Sequence, residues 1–159
     1  MPKEKRPTFT LENARVIFPN LEGRPGKFNE EGRKGFAVIL PEDFAQKLQR
    51  DGWHVNRLEP EDEEEGTVGE PFINIKVNYK NRAPRIVMVT STGPVLMRES
   101  SVHILDDADI EYADVTCVAH PWERGLSCYL QKAFFVINED VLDQKYGFGY
   151  LNTSEGDDD

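Results

Sequence analysis

The residues with the most chemistry to offer lie between Phe72 and Thr90, FINIKVNYKNRAPRIVMVT, which reads as two strands joined by a short, basic, Pro-containing turn. On a two-residue strand period, Ile73, Ile75, Val77 and Tyr79 share one face, while Phe72, Asn74, Lys76, Asn78 and Lys80 share the other. The first face is core. The second carries amides, ammonium groups and a ring, and the turn adds Arg82 and Arg85. Cations attract phosphates, and rings and amides suit exposed bases, so this pattern fits a nucleic-acid strand. The same residues would serve equally as the solvated face of an ordinary hairpin, and the rest of the chain must decide.

Two further stretches combine bases with rings. Pro19 to Gly32, PNLEGRPGKFNEEG, is dense in Gly, Pro and Asn and must be a loop; it holds Arg24, Lys27 and Phe28, with Arg33 and Lys34 following at the next strand. Phe28 either stacks a base beside these cations or folds back onto the core. PWERG, Pro121 to Gly125, is a turn that places Trp122 and Arg124 at a hairpin tip, as a local staple or as a stacking platform.

The net charge of −10 argues at first against a nucleic-acid partner, because the backbone contribution to affinity comes from Lys and Arg. Its distribution reverses that impression. Glu59 to Glu70 carries seven acids and no base, and Glu139 to Asp159 carries seven acids and one base, which leaves the remainder at +3. The acids are segregated into one loop and one tail around a mildly basic body. At 159 residues, 38% of them apolar, the chain is long enough for one domain with a real core. Its longest apolar runs are strand-sized, so no membrane association is expected, and the location expected is cytoplasmic.

The elements that would position these residues are mostly strands. From Phe9 to Phe18 the apolar parity changes, which predicts a bulge or bend near Asn13, as in the first strand of a small barrel that serves two sheets. Gly35 to Leu40 is a strand. Pro41, Glu42 and Asp43 then open a helix with Phe44, Ala45 and Leu48 as its apolar stripe, and Gly52 stops it. Val95 to Leu105 reads as weak strand or irregular structure. Ala113 to Ala119 alternates inward and outward, Ser127 to Ile137 returns as a long strand, and a short helix is expected over Glu139 to Tyr146.

Two possible chemistries are set aside. Asp106, Asp107, Asp109 and Glu111 match no metal-loop spacing and read as a solvated acidic turn. A hairpin folded about Arg124 and Gly125 would leave Cys117 and Cys128 about 13 Å apart along the strands, too far for a disulfide or a shared ion. Free thiols, no metal, no cofactor and no enzymatic activity are therefore expected.

The order of these features resembles the single-stranded DNA-binding proteins of tailed phages. Three stretches carry the resemblance: ARVIFPNLEGRPGKFNEEGRKGFAVILPED, FINIKVNYKNRAPR, and IEYADVTCVAHPWERGLSCYLQKAFFVINED. It implies a mainly β, OB-like Greek-key barrel with one or two short helices, here with the helix after the second strand. The implied domain spans residues 9–147, with a flexible arm over 1–8, an acidic loop over 59–70 and a flexible acidic tail over 148–159. The implied function is sequence-tolerant binding of single-stranded DNA, protecting and organising exposed strands in phage replication or recombination in the host cytoplasm. The matching binding positions are Arg24, Lys27, Phe28, Arg33, Lys34, Lys76, Tyr79, Lys80, Arg82, Arg85, Trp122 and Arg124. Glu155, Asp157, Asp158 and Asp159 would form an autoinhibitory or partner-binding tail that addresses replication or recombination proteins, on a monomer or homodimer. The alternative is a protein-interaction module or acidic DNA mimic acting on a host nucleic-acid enzyme.

Overall fold

Alternating burial on most of the strands builds the core. The computed structural model describes residues 6–26, 31–59, 69–80 and 82–139. The chain begins with β1 (Thr8–Ala14) and β2 (Val16–Asn20), two arms of one bent strand. Asn13 makes the bend with φ 57°, a left-handed conformation that Asn tolerates, and its N–H donates to Asp114 Oδ1 at 2.8 Å. The parity change in the sequence is this bend.

After β3 (Lys34–Ile39), Pro41 leads into α1 (Glu42–Arg50), which has acids in its first turn and bases in its last, as the helix dipole favours. Gly52, at φ 99°, ends it. Ala45 and Leu48 are buried, and Phe9 stands edge-on to both Phe44 and Trp53, so the helix is fastened to β1 through rings. β4 (Asn56–Arg57), β5 (Pro71–Val77), β6 (Arg85–Thr90) and β7 (Gly93–Met97) follow, then a 3-10 turn at Val102–Asp106, and finally two long strands, β8 (Ile110–Trp122) and β9 (Gly125–Ile137).

Pairing runs β1-β8-β9-β5-β3-β2, with β4 on β5 and the β6–β7 pair on β9. The path starts and ends on the two arms of the bent strand, but no ladder joins those arms. The result is a mixed, wrapped sheet that does not close into a barrel. The mainly β class and the helix after the second strand are as expected; barrel closure is not. Phe135, fully buried and 5.2 Å from the Phe36 ring, sits at the centre of the core.

Three sequence expectations are corrected here. β5 and β6 do not form a hairpin: each runs parallel to β9, where Lys76 pairs with Tyr129 and Arg85 with Lys132. β5 and β6 thus follow one another along one edge of β9, with β8 on the other, and β6 finds its antiparallel partner in β7. The two cysteines are also nearer than expected. The turn is Glu123–Arg124, one residue earlier than expected, so Cys117 opposes Leu130 and Cys128 opposes Ala119; the bulge at Gln131 shifts the register only beyond Cys117. Both thiols are free and buried on one face, and burial, then a hydrogen bond with Cys117, raises the Cys128 pKa well above its usual value. Asp106, finally, is not part of a solvated turn. Its side chain is 1% exposed and accepts the N–H groups of Leu21 and Glu22 at 2.7 and 3.0 Å, which pins the start of the loop after β2.

No described helix is long and apolar enough to cross a membrane. The helix expected over Glu139 to Tyr146 lies outside the described residues, apart from Glu139. The carboxylate of that residue accepts from the N–H and hydroxyl of Ser91 at 2.6 and 2.7 Å.

Candidate nucleic-acid interface

β5 keeps the alternation read from its sequence. Ile73, Ile75 and Val77 are buried, while Asn74 and Lys76 are exposed on the opposite, outer face. Opposite Lys76 on β3 stands Gly35, where a Cβ would lie 2.5 Å from the Ile75 carbonyl oxygen, so no side chain can occupy that position. The Lys76 ammonium reaches two rings instead, 5.9 Å from the Trp122 centroid and 5.7 Å from that of Tyr129. The Arg124 guanidinium lies over the same Trp122 ring, 5.8 Å from its centroid.

The hairpin tip that carries Trp122 and Arg124 is held by α1. Leu126 N–H donates to the Gly52 carbonyl at 2.9 Å, and Trp53 bridges Leu126. Gly125 has φ 123°, and a Cβ on it would approach Gly52 O to 2.7 Å, so glycine is required for this contact. Trp122 is 44% exposed at the anchored tip and has two cations close to its ring. The ring is packed locally and also presented to solvent.

The face continues along β9. Tyr129 touches His120 edge-on at 5.5 Å, and Arg6 donates to His120 Nδ1 at 3.3 Å. Beyond the bulge, Lys132 is exposed beside Arg85, and Phe134 follows on the same side. Lys80 and Arg82 are exposed between β5 and β6, with the Lys80 N–H bound to Asn78 Oδ1 at 2.8 Å. Cations and rings therefore line about 16 Å of β9 from Tyr129 to Phe134, at about 3.3 Å per residue. Among the described residues, no carboxylate pairs with Lys76, Arg85, Arg124 or Lys132.

The other expected positions are placed elsewhere. Arg24 is bound to Glu22 at 3.1 Å and to Asp106 at 3.7 Å. Lys34 pairs with Glu99 at 2.7 Å and lies 5.1 Å over the Tyr79 ring. Tyr79 is half-buried against the core, and its pKa is raised by burial first and by the Glu99 charge second. These three side chains hold the loop and the start of β3 in place, because protein carboxylates already neutralise the two cations. Arg33 is exposed, whereas Lys27, Phe28 and the tail acids Glu155, Asp157, Asp158 and Asp159 lie outside the described residues. Tyr129, Lys132 and Arg6 are additional members of the face. Tyr129 was legible as the outward parity between buried Cys128 and Leu130; Lys132 was hidden by the bulge. No group of three His, Cys, Asp or Glu side chains is placed to hold a metal ion among the described residues.

The chain is similar to the single-stranded DNA-binding protein of bacteriophage Enc34, with a TM-score of 0.50, 10% identity, and coverage of 93% of this chain and 88% of that one. The same phage protein in complex with ssDNA aligns with a TM-score of 0.48 and 11% identity, over 84% of this chain and 88% of that one. No curated protein sequence matches the chain. The sequence model of the family described as "Putative phage ssDNA-binding domain" matches residues 2–150, nearly the whole chain, and the protein belongs to that family.

Proposed function

We propose that the protein is a non-catalytic, sequence-tolerant single-stranded DNA-binding protein that uses the outer face of β5, β8 and β9. The observation that carries this reading is Trp122, an exposed ring with the cations of Lys76 and Arg124 both close to it and Tyr129 beside the same Lys76 ammonium. Bases stack on the rings, phosphates are attracted by the cations, and neither contact depends on base identity. Family membership supports the same ligand. The setting is phage replication or recombination in the host cytoplasm, where single strands are exposed and need protection. Protein partners in those processes would engage the acidic tail.

The test is a direct comparison of affinities for single-stranded DNA, RNA and duplex at several salt concentrations. Single strands should be preferred, with a log affinity that falls linearly with log salt. Preference for duplex, or no retention of single strands at low salt, would overturn the reading. The segregated acids support a second element: the tail competes with DNA for the basic face. Deleting Glu155 to Asp159 should tighten binding several-fold at low ionic strength and less at high, because screening weakens the competition. An unchanged affinity at low salt would contradict it.

A further inference from the structure

The opposite end of the same face carries a feature that the Trp122 group does not use. Phe18 sits in the bulge of β2 with φ 53° and is 61% exposed. A bulky residue at positive φ is an outlier, and preceding Pro19 restricts its backbone further. The fold therefore accepts backbone strain to hold a phenyl ring in water, where burial returns nothing. Strain of this kind persists where the surrounding structure imposes it, and it clusters at binding sites.

The ring is oriented. Phe18 meets Phe72 edge-on at 5.8 Å and 78°, so one of its faces remains available. Phe72 lies on the outer face of β5, in one row with Asn74 and Lys76. Asn56 pairs with Phe72 across β4 and points to the same side. Two rings flanked by the amides of Asn56 and Asn74 can stack a base and hydrogen-bond its edge, whereas the phosphate-attracting cations Lys76 and Arg124 stand at the other end of the row. The distance along β5 from Phe72 to Lys76 is about 13 Å, four residues at about 3.3 Å each.

We infer that Phe18 and Phe72, with Asn56 and Asn74, form a second nucleobase site, so that one DNA strand crosses the outer face from the Trp122 group along β5 to Phe18. This inference rests on the proposed single-strand binding. It makes the footprint longer than the hairpin tip alone, and a short oligomer would fill only the cation-rich end.

The experiment uses the full chain and oligothymidines of about four and about sixteen residues, the range of site sizes for single-strand folds of this kind. Phe18→Ala should weaken binding of the longer oligomer about tenfold and change the shorter one less than about twofold. Phe18→Tyr, which keeps the ring, should bind both as the wild type does. Phe18→Gly relieves the positive φ and should unfold at the same or a higher temperature while losing the same affinity. Trp122→Ala should weaken both oligomers. If Phe18→Ala binds both lengths normally while Trp122→Ala weakens both, the second site is refuted and the first stands. Phe18→Tyr binding as poorly as Phe18→Ala would also refute it. If Trp122→Ala changes neither length, the reading of the hairpin tip itself fails.

Discussion

Lys34 and Lys76 occupy adjacent register positions on paired strands, opposite Val77 and Gly35 respectively, and the fold gives them opposite employment. Lys34 follows the inward parity of Val77, bonds Glu99 at 2.7 Å and covers Tyr79. Lys76 follows the outward parity of β5 and faces the rings of Trp122 and Tyr129. A lysine neutralised by a carboxylate has few counterions to release when a strand arrives, whereas one held over rings keeps its charge for a phosphate. Residue type thus says little about which cations stay available to DNA in the proposed binding mode; the partner across the face decides.

The comparison can be broken most forcefully at Lys76. Lys76→Glu places a like charge against the phosphate path and should weaken single-strand binding about a hundredfold at low salt, with the far-ultraviolet circular dichroism unchanged. An intermediate effect is expected from Arg85→Ala and Lys132→Ala. Each should lower the slope of log affinity against log salt by about 0.7, the value for one phosphate contact on a single strand, and reduce affinity equally for all sequences. A displaced tip tests the support beneath the rings. Gly125→Ala cannot keep both its φ of 123° and the contact with Gly52, and should weaken binding several-fold, with a lower unfolding midpoint measured alongside. The smallest effect belongs to Lys34→Ala. It should leave affinity within about twofold and cost less than about 1 kcal/mol of stability in urea unfolding, because Glu99 is more than half exposed. An effect on binding as large as that of Lys76→Glu would erase the distinction between the two lysines.

Much of this was readable from the chain, and the failures share one cause. The alternation of β5, the bend at Asn13, α1 from Pro41 to Gly52 and the outward row ending in Trp122 are local patterns, set by two-residue or helical periodicity and by the conformations that Asn, Pro and Gly allow. What was misread depends on distant partners. Nothing in the connection over 78–84 reports that β5 and β6 both lie parallel to β9. The turn at Glu123–Arg124 put Cys117 and Cys128 into neighbouring positions, and the bulge at Gln131 brought Lys132 onto the outer face. Lys34 looked like a binding cation because its carboxylate partner, Glu99, is 65 residues away along the chain, and Asp106, the buried one of the two carboxylates bound to Arg24, is 82 away. The placement of cations and rings and the family resemblance suggested the ligand, but only pairing sorted the cations.

The account turns on Trp122, and its fluorescence tests it most directly. Trp53 is buried against Phe9 and should not respond to ligand, so a signal on titration with an oligothymidine belongs to Trp122. The expected result is saturable quenching that weakens steeply with salt, is smaller with duplex, and disappears in Trp122→Phe. Quenching that survives in Trp122→Phe, or tight single-strand binding with no quenching at all, would contradict it.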